Sequence, residues 1–184
     1  MREATCSGRE RRPEQVRVWD MGVRGFHWSL VATFAGAWLA AEELAGWHEK
    51  LGYAILVLVG FRLVWGFAGG VHARFSDFVT SPATVLAYLR AMMAGKARRY
   101  LGHNPAGGAM IVALLSTLLL TGLTGWMSTT DRWWGVEWVE DTHELAANLC
   151  LGLIVAHIAG VIHASRAHGE NLVTAMITGL KRSS

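Results

Sequence analysis

Cysteine is almost absent from this chain: Cys6 and Cys150 are the only two in 184 residues. The first lies in a charged N-terminal tail and the second inside an apolar run, so no disulfide between them is expected. No Cys-x-x-Cys-His run occurs, which excludes the usual covalent attachment of a c-type haem. Charge is scarce as well, at 17% of residues against 52% hydrophobic, with a mean hydropathy of +0.29. Cations are rarest in two of the stretches between apolar segments, which hold only Lys50 and Arg132. No cleavable signal peptide is expected, because a charged tail precedes a full-length apolar run.

What the chain has is apolar length. Four runs, at 25–41, 51–73, 106–130 and 145–165, are each about long enough to cross a hydrocarbon core of roughly 30 Å as a helix. The second is broken only by Arg62 and His72. The expected fold is all-α: an integral membrane four-helix bundle over residues 16–184, behind a tail of residues 1–15. The first helix is expected to start near Asp20, a capping residue, with Trp19 at the interface.

Basic residues fall on one side of that arrangement. Arg2, Arg9, Arg11, Arg12, Arg17 and Arg24 precede the first span; Arg74, Arg90, Lys96, Arg98 and Arg99 lie in the middle connection; Arg166, Lys181 and Arg182 follow the last span. By the positive-inside rule both termini and the middle connection are cytoplasmic. These cations serve membrane topology, and no nucleic-acid partner is expected. The opposite face carries Glu42, Glu43, Glu49, Asp131, Glu137, Glu140, Asp141 and Glu144, among Trp47, Trp126, Trp133, Trp134 and Trp138, which read as interfacial anchors. In the middle connection, Thr80-Ser81-Pro82 reads as a helix start. Leu86, Leu89, Met92 and Met93 on one face suggest a helix lying on the lipid surface. Pro105, Gly107 and Gly108 mark the turn into the third span.

His143 and His157 stand fourteen residues apart in the last span. Fourteen helical steps return to within about 40° of the same face and climb roughly 21 Å. Titratable side chains at such depths are costly and point to function. The first span enters from the opposite side to the last and carries His27 at the depth of His157; the second begins with His48 at the depth of His143. Pairs of imidazoles from different helices are what a six-coordinate b-type haem needs. Two layers of such pairs predict two haems b. A zinc or copper site would instead draw three or four ligands to one point. His163 is about 240° around the helix from His157 and faces elsewhere, while His72, His103 and His168 lie near the basic surface.

The runs VRVWDMGVRGFHW, WHEKLGYAILVLVGFRLVWGF, YLGHNPAGG and DTHELAANLCLGLIVAHIAGVIHAS, followed by ENLVTAMITGLKR, occur in that order over residues 16–182. They resemble the bacterial di-haem cytochrome b family. It includes the cytochrome b561-type proteins and the cytochrome b subunits of nickel-iron hydrogenases, with the formate dehydrogenase gamma subunit more distant. The resemblance implies haem ligation by His27, His48, His143 and His157. It also implies residence in the bacterial inner membrane and electron exchange between ubiquinone or menaquinone and a redox partner of the respiratory chain, often periplasmic. The quinone comes only from the resemblance.

Haem propionates call for cations. Lys50 and Arg132 are the candidates on the acidic side; Arg24, Arg62, Arg74 and Arg166 are those on the basic side. Arg62 can equally snorkel toward headgroups. His103 and Asn104 are the candidate quinone ligands, although Asn104 can simply cap the turn before Pro105. No residue is singled out as catalytic. Three functions stay open: an electron-transfer module serving a periplasmic partner such as a cytochrome c, a superoxide oxidase passing electrons to ubiquinone, and the membrane anchor of a hydrogenase-type enzyme. The acidic outer face favours a basic protein partner and disfavours an anionic substrate.

Overall fold

The computed structural model describes residues 15–183. The tail up to residue 14, with Cys6 and four of the arginines, lies outside the described residues. The elements are β1 (Gln15–Arg17), α1 (Met21–Leu39), α2 (Ala45–Ala68), a 3-10 turn (Val71–Ala73), α3 (Phe75–Phe78), α4 (Pro82–Met93), α5 (Pro105–Ser128), α6 (Glu137–Ala167), α7 (Leu172–Thr178) and β2 (Leu180–Arg182).

Local chemistry sets the helix starts. Asp20 caps α1, its Oδ1 accepting from the Val23 amide at 2.8 Å. The Trp65 indole N–H donates to the same carboxylate at 3.2 Å, tying the start of α1 to the end of α2. Ser81 caps α4 with Pro82 in first position, and Asn104 caps α5 ahead of Pro105, accepting from the Gly107 amide at 2.7 Å. Glu137 and Glu140 sit in the first turn of α6, where carboxylates complement the helix dipole.

Three helices, α2, α5 and α6, are long and apolar enough to cross a membrane. Their outer faces expose large apolar side chains such as Val57, Val64, Leu145, Leu149 and Val155. That is the inverse of a water-soluble surface and suits a lipid surround. The molecule is a membrane helical bundle. Helix α1, of 19 residues, packs antiparallel on α2; α2 packs on α5, and α5 on α6. Among the described residues α6 has no comparable backbone packing against α1 or α2. Ala37, Ile55, Val59, Leu115, Leu118 and Cys150 form the apolar core. Cys150, seven residues from both His143 and His157, is fully buried there.

The sequence reading contained no strands, yet β1 and β2 pair antiparallel, with Val16 opposite Lys181. This clamp joins the two chain ends. Gly179 makes it possible: its φ of +82° suits glycine, and its carbonyl accepts from the amides of Val18 and Trp19. Gln15, placed by sequence in the tail, is the first residue of β1.

Candidate functional site

At the acidic end, His48 occupies the first turn of α2 and His143 the second turn of α6. Their ring centres are 6.0 Å apart, with planes at 79°. Each ring is fixed by its Nδ1. His48 Nδ1 lies 2.8 Å from the Ala37 carbonyl, which is free to accept because the Ala41 amide turns to Trp38 at the frayed end of α1. His143 Nδ1 lies 2.9 Å from the Thr121 carbonyl, with the Thr124 hydroxyl at 3.4 Å. In both rings Nε2 is left for another partner, the arrangement by which a backbone carbonyl orients a metal-binding histidine. Gly125 permits it, since a Cβ there would stand 2.9 Å from His143 Cε1.

At the basic end, His27 of α1 and His157 of α6 have ring centres 6.5 Å apart, with planes at 54°. Trp28 meets His27 edge-on at 5.1 Å. His27 Nδ1 is buried without a hydrogen-bond partner among the described residues. Two imidazoles held by one iron would stand about 6.4 Å apart, from a metal–nitrogen bond of about 2 Å and roughly 1.2 Å from nitrogen to ring centre on each side. Both observed spacings lie within a few tenths of an ångström of that value. Among the described residues, helices α1 and α6 approach each other through these rings and are not packed together as α5 and α6 are. Among the described residues no group of three or more His, Cys, Asp or Glu side chains converges on a point.

The cations divide by end. Lys50 lies over the Trp47 ring at 5.1 Å and Arg132 over Trp133 at 5.3 Å, both on the exposed acidic face. Arg62 is almost fully buried, at 3% exposure. The 3-10 turn and α3 fold back over the end of α2, so its guanidinium stacks on Phe75 at 5.0 Å and donates to the Ala73 carbonyl at 3.0 Å. Lipid snorkelling therefore does not describe this residue. Arg24 ties α1 to the Ile177 carbonyl. Arg62 Nη1 and Arg24 Nε are buried and without a partner among the described residues. Arg74 donates to the Gly69 carbonyl at 2.9 Å, and Arg166 is exposed.

His103 sits between Trp19 at 4.5 Å and Phe78 at 4.9 Å, with a buried Nδ1 that has no partner among the described residues. Its placement near the basic surface conveyed none of this enclosure. Burial, then the charges of Arg62, Lys181, His157 and His72, push its pKa down to about 3, so the ring is a neutral imidazole at working pH. Asn104 spends its side-chain oxygen capping α5. Beside the first turns of α5 runs an apolar groove lined by Val85, Leu89, Ala106, Ala109, Met110 and Ala113. Sequence reasoning missed Gly125, which nothing in an apolar helix distinguishes from a lipid-facing glycine. It also missed the buried ion pair of Glu170 with Lys181, at 3.7 Å, because the partners belong to separate elements of the chain end.

An apolar helical bundle with inward histidines paired across helices is the frame of a membrane cytochrome b. Residues 18–179 match the prokaryotic cytochrome b561 family, and the chain belongs to it. It is thus a membrane protein of a family that binds haem b and serves electron transfer. No curated protein and no solved structure was matched.

Proposed function

We propose that this protein is a four-span di-haem cytochrome b that exchanges electrons between the quinone pool and a periplasmic partner, with both termini in the cytoplasm of a bacterial inner membrane. The carrying observation is the pair of cross-helix histidine spacings, 6.0 and 6.5 Å, each suited to one iron. His48 and His143 hold the outer haem, and His27 and His157 the inner one. Bound between them, the haems supply reversible one-electron chemistry. Arg62 Nη1 and Arg24 Nε, buried and without a partner among the described residues, are the favoured propionate donors at the inner end; Lys50 and Arg132 are the cations within the outer face.

For the quinone we assign the enclosure around His103. Its unpartnered imidazole nitrogen offers a hydrogen bond to a ring oxygen, and the apolar groove beside α5 takes the isoprenoid tail. Asn104, held as a cap, contributes at most its amide N–H. The eight carboxylates of the outer face are all exposed, and its two cations lie over tryptophans. This supports a basic protein partner such as a cytochrome c over superoxide.

The test is haem content per chain, followed by reduced-minus-oxidised spectra with a quinol and then with superoxide as donor. Two haems b reducible by quinol and not by superoxide are expected. Rapid reduction by superoxide would transfer the function to superoxide oxidation, and reduction only within a complex would transfer it to a hydrogenase-type anchor. One haem or none would break the pairing.

A further inference from the structure

Quinol oxidation releases two electrons, which pass to ferric haem iron, and two protons, which need a way out; quinone reduction runs the same balance backward. His103 Nδ1 is buried between Trp19 and Phe78, so groups beside it can give the proton its way out. Lys181 is the first candidate and it is unsuitable. Its ammonium donates to the Leu101 carbonyl at 3.0 Å and the Tyr100 carbonyl at 3.4 Å and is paired with Glu170 at 3.7 Å, which holds it on three sides. It is a fixed counter-charge.

The other titratable pair at this end is placed differently. His72, in the 3-10 turn, and Asp77, in α3, meet at 3.1 Å, each side chain about one-third exposed. The pair lies directly against Gly102, the residue before His103. A Cβ at Gly102 would stand 3.0 Å from His72 Nδ1 and 3.3 Å from Asp77 Oδ2, so glycine lets the dyad lie close against this stretch of chain and a larger residue would push it back. One ring nitrogen of His72 is held by the carboxylate and the other is left to exchange. That is the arrangement of an oriented imidazole that shuttles protons.

We propose that His72 and Asp77, admitted by Gly102, form the proton port between the cytoplasm and the quinone enclosure at His103. The groups facing His103 are Arg62 from α2, Lys181 from β2, His157 from α6 and His72 itself from the 3-10 turn. Of these, Arg62 and Lys181 carry positive charge that disfavours a proton on His103. His103 therefore passes protons on without storing them, and the imidazole of His72, oriented by its carboxylate, exchanges them with the cytoplasm. The inference rests on the quinone site assigned above.

The experiment uses the full-length, haem-loaded protein in phosphatidylcholine–phosphatidylglycerol vesicles. Quinol-driven haem reduction is followed by rapid mixing between about pH 6 and 9. His72→Gln and Asp77→Asn preserve hydrogen bonding and remove proton-carrying capacity. Each should slow reduction about tenfold or more, with unchanged haem content and dithionite-reduced spectrum, and added imidazole should restore most of the rate. A purely structural dyad would give no imidazole rescue and would overturn the port. Wild-type rates in His72→Gln and Asp77→Asn, alongside loss in His103→Gln, overturn the port alone. A wild-type rate in His103→Gln overturns the quinone site and the port together.

Discussion

The two histidine pairs differ less in spacing than in what holds them. At the outer pair, both imidazoles donate through Nδ1 to backbone carbonyls, of Ala37 and Thr121, and the flanking loops are exposed and acidic. At the inner pair, His27 Nδ1 has no partner among the described residues, and Arg24 stands one turn before His27 on α1. The outer site is oriented by the helix frame itself. The inner site is held by packing and by a polar cap built from the middle connection and the two chain ends. A donated Nδ1–H makes a ligating imidazole more basic and favours ferric iron; surrounding anions act in the same sense, and cations oppose it.

The strongest way to break this comparison is to remove ligands one at a time. Alanine at His48 or at His143 should each lower haem content from two per chain to one and delete the same spectral component; His27→Ala and His157→Ala should each delete the other. Haem content that stays at two, measured by haem extraction against protein, would mean the pairing is wrong.

A smaller intrusion sharpens the contrast. Gly125→Ala drives a methyl to within 2.9 Å of the His143 ring, a distance that forces the imidazole or helix α5 to shift. Overpacking of this kind costs about 1–3 kcal/mol. The outer component should broaden or be lost while the inner one stays intact. Equal damage to both components would show that α5 positions the two layers together.

Redox titration then reads the electrostatics directly. The outer haem should show the lower midpoint potential, because anchored imidazoles and exposed carboxylates both stabilise its ferric form. Assignment follows from repeating the titration on His48→Ala, which should lose the low-potential step. Loss of the high-potential step would reverse the ordering argued here.

Much of the frame was legible in the sequence because it is written locally. Asp20 announces the start of α1, Ser81-Pro82 that of α4, and the apolar runs mark the long helices, since these signals depend on near neighbours. The close approach of His48 to His143 and of His27 to His157 followed from depth, which the antiparallel order of spans fixes. The basic end was not legible. Its clamp joins Val16 to Lys181 across the length of the chain through three-residue strands too short for an alternation pattern. The enclosure of His103 depends on Phe78 and Trp19, which only the fold brings to it. Arg62 looked like an interruption of an apolar helix because the segment that covers it, Val71 to Phe78, carries no strong periodic signal.

The smallest expected effect concerns that cap. Glu170 accepts from Arg99 at 3.2 Å and from the Arg182 amide at 3.2 Å, and pairs with the buried Lys181. Burial alone would raise its carboxyl, but Lys181, the Arg182 amide and Arg99 outweigh it and hold the pKa below the ordinary 4.5. The stability this carboxylate contributes is therefore complete above about pH 4.5 and is lost as pH falls through the lower folded value. Glu170→Gln should cost about 1–3 kcal/mol near neutrality, read as a lower thermal midpoint, and the gap to wild type should close in acid. If the inner end alone depends on this cap, the inner haem signal should be lost first on heating while the outer keeps its wild-type midpoint. A gap that stays constant down to strongly acid pH would mean that Glu170 acts by its shape and not by its charge.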